Sequence, residues 1–386
     1  VKRTESLFRD IQLEVDGAPE LGIRYNGCMT IRELELTNFR SYDTARFELH
    51  PDVTLVVGPN ASGKTNLLES LYVLAVTKSF RAKDRDLVRH EHDHFRIVGR
   101  SEASEYAMGL SVAGGSLERR IMHDGTRQTL VNHVGQMQVT LFEPTDLDLV
   151  AGPPEGRRKY LDFILCQTDR GYLKTLQAYR RVLRQRNALL EGLEMGALRQ
   201  QIFAWDVKLA ELALEIYQRR QDLLKVLNDA LPHLYRDIAG QPIALSLEYL
   251  PSVAGPSYGD AFMGALEHNL MRDLGAGFTT IGPHREDFKV HFKNNDITAV
   301  ASRGETRTVV LALKLAEVVY SEDKTGVKPI LLLDDVFSEL DRDRRGYLIE
   351  RLHDHQTIIT TTDADAVTRE IQAPHAVILT AENAHA

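Results

Sequence analysis

Two periodicities divide the chain. From residue 29 to about 138 the apolar positions alternate or form short runs, as strands do. From about 154 to 239 they recur at spacings of three and four, as helices do. In the first stretch Ile31, Leu34 and Leu36 begin a strand, and shorter strands are predicted near 46–49, 95–100, 106–112 and 118–123. Turn clusters such as Ala113-Gly114-Gly115-Ser116 and Asp124-Gly125 join them. The continuous apolar run from Val53 to Val57 reads as a buried strand. Leu67, Leu68, Leu71, Leu74 and Ala75 behind it read as a helix. This pattern predicts an α/β lobe that is half parallel and half antiparallel.

The helical stretch is broken near Gly192 to Gly196. Its second half carries Ile202, Trp205, Leu209, Leu212, Ile216, Leu223 and Val226 in a heptad seam, with Arg219 the one interruption. Leu176, Leu183 and Leu190 on the first half are the simplest partners. Both two bundle helices and a projecting antiparallel arm satisfy this pattern, with about forty residues, roughly 60 Å, per helix. Strands return near 243–250 and 287–292, around a helix near 261–274. A helical run over 309–320 and strands at 330–333 and 357–360 follow. Residues 1–28 stand apart as an accessory extension that could form a small hairpin, ahead of a domain start at Met29.

Candidate chemistry begins between the buried strand and its helix. Gly58-Pro59-Asn60-Ala61-Ser62-Gly63-Lys64-Thr65 has phosphate-loop spacing in the required strand-to-helix context. Glycines allow backbone N–H groups to turn inward, and the helix N-terminus adds partial positive charge. Lys64 is the candidate for the β- and γ-phosphates of a nucleotide, and the Thr65 hydroxyl for Mg²⁺. Some 270 residues later the apolar run Ile330 to Leu333 ends in Asp334-Asp335. Asp334 is the candidate second ligand to Mg²⁺, and Asp335 the group that activates water.

Charge changes the picture locally. The chain has 386 residues, with 47 Lys and Arg against 55 Asp and Glu, a net charge of −8, so any nucleic-acid contact must be a patch on an acidic body. Between Arg157 and Arg186 nine basic residues face two acids. Arg157, Arg158, Lys159, Lys174, Arg180, Arg181 and Arg184 are the candidates for phosphate contacts, against the plainer reading of a solvated helix face. A second cluster, Lys78, Arg81, Lys83, Arg85 and Arg89, is diluted by Asp84 and Asp86. Two cysteines without metal spacing and no long apolar run fit a reducing cytoplasm.

Several pieces together resemble the RecF family, recombinational-repair ATPases related to the SMC and ABC proteins. They are Leu36 to Tyr42, the phosphate loop running into Glu69, Glu143 to Leu147 and Gly156 to Asp162. Gly282 to Asp287, the Ser302 stretch and Leu333 to Asp341 complete the set. The resemblance implies an ABC/SMC-type head with lobe I at 29–140 and 326–386. Lobe II would span 141–325 and carry a short antiparallel arm at about 155–240. It implies ATP and Mg²⁺ as cofactors, DNA as ligand, weak ATP hydrolysis, and RecO and RecR as partners. It also implies an ATP-dependent homodimer, in which Ser302, Gly304 and Glu305 of one copy meet the nucleotide of the other. Asp341 would lie near the partner's loop, and Arg40 would approach the nucleotide. An SMC-like tether and the ATP-binding subunit of a membrane transporter are the other classes weighed. Three departures stand out. Glu143, with Gln136 and Gln138 nearby, occupies the neighbourhood of a lobe-coupling glutamine. Thr361 or Thr362 replaces a terminal histidine. The catalytic acid is an aspartate, which predicts slow hydrolysis.

Overall fold

The computed structural model describes residues 30–113, 116–192, 195–362 and 375–378; the extension expected at 1–28 lies outside them. Six strands form an antiparallel sheet: β1 (Glu33–Phe39), β2 (Tyr42–Glu48), β4 (His94–Arg100), β5 (Glu105–Ala113), β6 (Ser116–His123) and β7 (Thr126–Arg127), in the order 2-1-4-5-6-7. Five others form a parallel sheet: β3 (Val53–Val57), β8 (Val139–Phe142), β12 (Ile330–Asp334), β13 (Thr357–Thr361) and β14 (His375–Ile378), in the order 14-3-13-12-8. The half-parallel, half-antiparallel expectation therefore holds, as does the mixed α/β head. Strand β8 was not foreseen. Its four residues are all buried, so no alternation marks it.

The parallel sheet is a wall with a different core on each face. Because side chains alternate, Ile330 and Leu332 join one apolar cluster, while Leu331 and Leu333 join the other. The first cluster packs the sheet on α1 (Lys64–Val76), through Leu67, Leu68 and Leu71, and on the antiparallel sheet through Leu34, Leu36 and Ile97. The second packs it on the helices of the inserted segment: α2 (Pro154–Thr168), α3 (Arg170–Gly192) and α4 (Met195–Ala239). A small sheet of β9 (Leu245–Leu250), β10 (Asp287–Phe292) and β11 (Asn295–Asp296) completes that side. With it go α5 (Tyr258–His268), α6 (Leu270–Ala276), α7 (Arg303–Thr325) and α8 (Arg342–Leu352).

The arm is antiparallel as expected, but its first half is two helices. Asp169 ends α2 and starts α3, its carboxylate accepting from the Tyr172 N–H at 3.1 Å as an N-cap does. Along α4 the seam is buried at Ile202, Leu209, Leu212, Ile216 and Leu223. Arg219 does point outward, to Asp169, while its neighbour Arg220 is buried. Beyond it the buried stripe widens to Leu224, Leu227, Leu231 and Tyr235, as α4 packs on β9, α5 and α7. The far end of the arm is also held. Leu190 and Ile202 pack on Leu270 of α6, and Arg186 is fully buried between Asp206 and Asp273, 2.6 and 2.8 Å away. Among the described residues no helix is long and apolar enough to cross a membrane.

Candidate nucleotide site

The octet 58–65 links the end of β3 to the start of α1. Gly63 has φ 97°, and a Cβ there would lie 2.8 Å from the Tyr42 hydroxyl, so both the backbone angle and the space require glycine. Ala61 shares the left-handed region at φ 66°. Inside this turn the buried Lys64 donates to the Gly58 and Pro59 carbonyls at 2.7 and 2.9 Å. Burial depresses its ammonium pKa, against the pull of Asp335 and Asp334. The Thr65 hydroxyl lies 2.9 and 3.1 Å from the two carboxylate oxygens of Asp334. Two residues 269 apart in sequence thus form an oxygen-only pair, which suits Mg²⁺.

A residue that sequence reasoning missed organises the acids. Thr360, fully buried on β13, donates its hydroxyl to Asp334 at 2.6 Å and accepts the Asp335 N–H at 3.0 Å. Asp335 is left-handed, φ 51°, so its carboxylate leaves the strand in a direction set by its neighbours. The expected substitutes for a histidine, Thr361 and Thr362, stand one and two places beyond.

Three consecutive residues of the β1–β2 turn brace the phosphate-loop helix at three-residue intervals. Tyr42 donates to the Gly63 carbonyl at 3.1 Å, Ser41 accepts from Asn66 at 2.8 Å, and Arg40 grips Glu69 with two bonds of 2.9 and 2.8 Å. Burial alone would raise the Glu69 pKa. Bonds from Arg40, Arg81 and Ser79 overcome that and hold the carboxyl below its usual range. Arg40 is therefore fixed beside the loop, with its Nη1 also bonded to the Asp86 carbonyl at 2.9 Å. The open cleft next to it, about 1460 Å³, is lined by Arg40, Asn66, Arg81, Lys83, Arg85, Arg89 and Lys159.

The Ser302 stretch is elsewhere. Ser302 caps α7, accepting from Glu305 N–H at 3.3 Å while Glu305 accepts from Ser302 N–H at 2.8 Å. Lys293 bonds Glu305 at 2.9 Å and holds its pKa well below the carboxylate range, with the Ser302 N–H assisting. Ser302 is exposed. Its cap takes up the Glu305 N–H, and the N–H groups of Arg303 and Gly304 before it have no acceptor within the helix. Asp341 caps α8, accepting from Arg344 N–H at 3.0 Å.

At the lobe junction, Glu143 follows β8. Burial and the neighbouring Asp146 push its pKa up to about 7, with Lys314 opposing. Gln136 is turned back to the Asn132 carbonyl at 3.0 Å, and Gln138 is buried before β8. Glu143, at the end of the strand beside the acids, is the one of the three that borders the site.

The basic run at 157–186 needs correcting. Arg157 forks onto Asp287 at 2.7 and 2.8 Å and also bonds the Gly152 carbonyl. Arg158 bonds the Glu286 carbonyl at 3.0 Å, and burial lowers its pKa. Both are half-buried and, with the fully buried Arg186, brace the fold although they are spaced like surface charges. Lys159 is exposed and paired with Glu155, and Arg180 is exposed at 3.2 Å from Asp162. Lys174, Arg181 and Arg184 are exposed on α3, the first two seven residues apart and so on one face. The Gly282-to-Asp287 motif is likewise structural. Glu286 accepts from Tyr249, Tyr258 and Ser252, and His284 accepts from Tyr179 at 2.6 Å.

Residues 30–384 match the family model described as the RecF/RecN/SMC N terminal domain. The DNA replication and repair protein RecF of Staphylococcus haemolyticus (strain JCSC1435) is 35% identical over 355 residues, which cover 89% of this chain and 96% of that protein. The solved structure of the recombination mediator protein RecF-ATP in the RecFOR pathway superposes with a TM-score of 0.83 at 29% identity, over 93% of this chain and 98% of that one. For the RecF-ATPrS structure the values are 0.82 and 31%, over 92% and 97%.

Proposed function

The chain belongs to the RecF family of DNA replication and repair proteins, and from that premise we propose that it is an ATP-dependent DNA clamp of recombinational repair and replication restart. Two copies close on two ATP molecules, each held between the phosphate loop of one subunit and the Ser302 stretch of the other. The closed pair holds DNA at gaps or junctions, and slow hydrolysis releases it. It acts in the cytoplasm to aid recombinase loading, with RecO and RecR as partners.

The observation that carries this reading is the pair of bonds from Thr65 to both oxygens of Asp334, beside a buried Lys64. Mg²⁺ held by Thr65 and Asp334 would neutralise charge on the β- and γ-phosphates. Lys64 supplies the side-chain cation for the same phosphates, and the inward N–H groups of 58–65 cradle them. Asp335 orients water. As an aspartate it reaches about 1.5 Å less far than a glutamate, and Thr360 fixes the direction of its backbone. The shorter reach favours slow turnover. A cap that faces outward serves no site of its own subunit, and this is why the reading requires a pair.

Sedimentation with ATP, ADP or no nucleotide, with and without DNA, tests it. ATP alone should support the pair, and DNA should strengthen it. Lys64→Met should fail to titrate with ATP. Asp335→Asn should persist as a dimer, while Ser302→Arg should stay monomeric because a bulky cation replaces the exposed cap. Ser302→Arg pairing as readily as the unmodified chain would overturn the reading.

A further inference from the structure

Arg344 joins the two segments that the clamp reading assigns to the partner's nucleotide. Its Nη1 pairs with the second carboxylate oxygen of Asp341. Its Nε donates to Thr308 Oγ1 at 2.7 Å and its Nη2 to the Gly304 carbonyl at 3.1 Å. Thr308 Oγ1 in turn donates to the Gly304 carbonyl at 3.0 Å, so both acceptors belong to the opening turns of α7. One planar guanidinium thus binds three groups on two segments that the whole of α7 and β12 separates in the chain. The Arg344 side chain is only 22% exposed, which shields its bonds to Thr308 and Gly304, whereas the Asp341 carboxylate is open to solvent. A lysine could keep one of the three bonds. It could not reproduce the fork.

We propose that Arg344 is a positioning residue that locks the Ser302 cap and the Asp341 loop into one rigid face. This rests on the clamp reading, because only a pair of subunits uses that face. Both segments must meet the same partner at once. If they moved independently, each association would have to order them, and ordering costs affinity. The pair is symmetric, so the cost falls at both sites. Losing the lock should weaken association roughly tenfold per site, on the order of a hundredfold in total.

The test measures the ATP-dependent dimer dissociation constant of Arg344→Gln and Arg344→Lys by sedimentation. It also measures melting temperature and ATP titration at concentrations where the chain is monomeric. Arg344→Gln should titrate with ATP like the unmodified chain and dimerise on the order of a hundredfold more weakly. Arg344→Lys should keep the Asp341 pair and the melting temperature, yet recover no more than about tenfold. If Arg344→Gln does not fold, the lysine variant decides alone. Dimerisation within twofold of the unmodified chain overturns the proposal. So does full recovery of both dimerisation and melting temperature by lysine, which would make Arg344 a cap for α8 and nothing more. Ser302→Arg, run beside them, separates the levels. If it dimerises normally, the clamp reading falls and takes the lock with it. If it blocks dimerisation while Arg344→Gln does not, only the lock falls.

Discussion

The Thr360 hydroxyl serves both acids at the end of β12, and valine is its isostere without the polar atom. Thr360→Val should leave the backbone bond from Asp335 N–H to the Thr360 carbonyl in place, so stability should fall by only about 1 kcal/mol. Turnover should fall further, roughly tenfold or more, because both acids lose their orientation. A steady-state ATPase assay within twofold of the unmodified chain would show that the hydroxyl is idle. Nothing in the sequence singles Thr360 out, since Thr357, Thr361 and Thr362 are equally plausible members of a buried strand. Lys64, Thr65, Asp334 and Asp335 were legible because phosphate binding demands a fixed spacing and a fixed strand-to-helix context. Thr360 answers only to where two strands meet in space.

Among the helices, charge spacing misled in one place and informed in another. Arg157, Arg158 and Arg186 look like their exposed neighbours because an arginine turned onto the protein is recognisable only by its partner. Here Asp287 and Asp273 lie 130 and 87 residues away. Neutralising Arg180, Arg181 and Arg184 on α3 should therefore reduce the salt dependence of DNA binding by roughly three units of log–log slope, if all three touch duplex phosphates. Arg157→Ala should do something else: it strands Asp287 without its fork, costing about 3 kcal/mol of stability, and leaves the slope alone. Titrations at several salt concentrations, paired with denaturant melts, distinguish the two; an unchanged slope in the triple variant would make the patch ordinary surface. The break at Asp169 was hidden for a related reason. An acid on a helix face and an acid capping the next helix read alike until the Tyr172 N–H is seen to point at it. The arm that results is buttressed by α6 at its far end, which does not suit a long-range tether.

Across the molecule as a whole, two groups titrate against each other. Burial holds the His284 imidazole down to about 4, so between roughly pH 4 and 6.5 the unfolded chain binds a proton that the folded chain refuses, and stability falls as pH falls. Glu143, raised to about 7, keeps a proton that the unfolded chain releases above about 4.5, so its contribution falls as pH rises. The two nearly cancel between about pH 4.5 and 6.5. Glu143→Gln should uncover the histidine and add up to about 1.4 kcal/mol per pH unit to the slope of unfolding free energy across that window. Parallel slopes in denaturant titrations of the two proteins would mean that Glu143 ionises as an ordinary carboxylate. The shared sheet has a consequence of another kind, for a chain made from one end. Val57, at the lip of the phosphate loop, pairs with Thr361, so the strand leaving the ribosome early must wait for a neighbour some 300 residues behind it. At about 5–20 residues per second that wait lasts roughly 15–60 s, with both edges of β3 unpaired, because β14 comes later still, and apolar side chains uncovered. A nascent-chain pull-down should find chaperones bound most heavily while the inserted helices are being translated, and released once β12 and β13 have emerged.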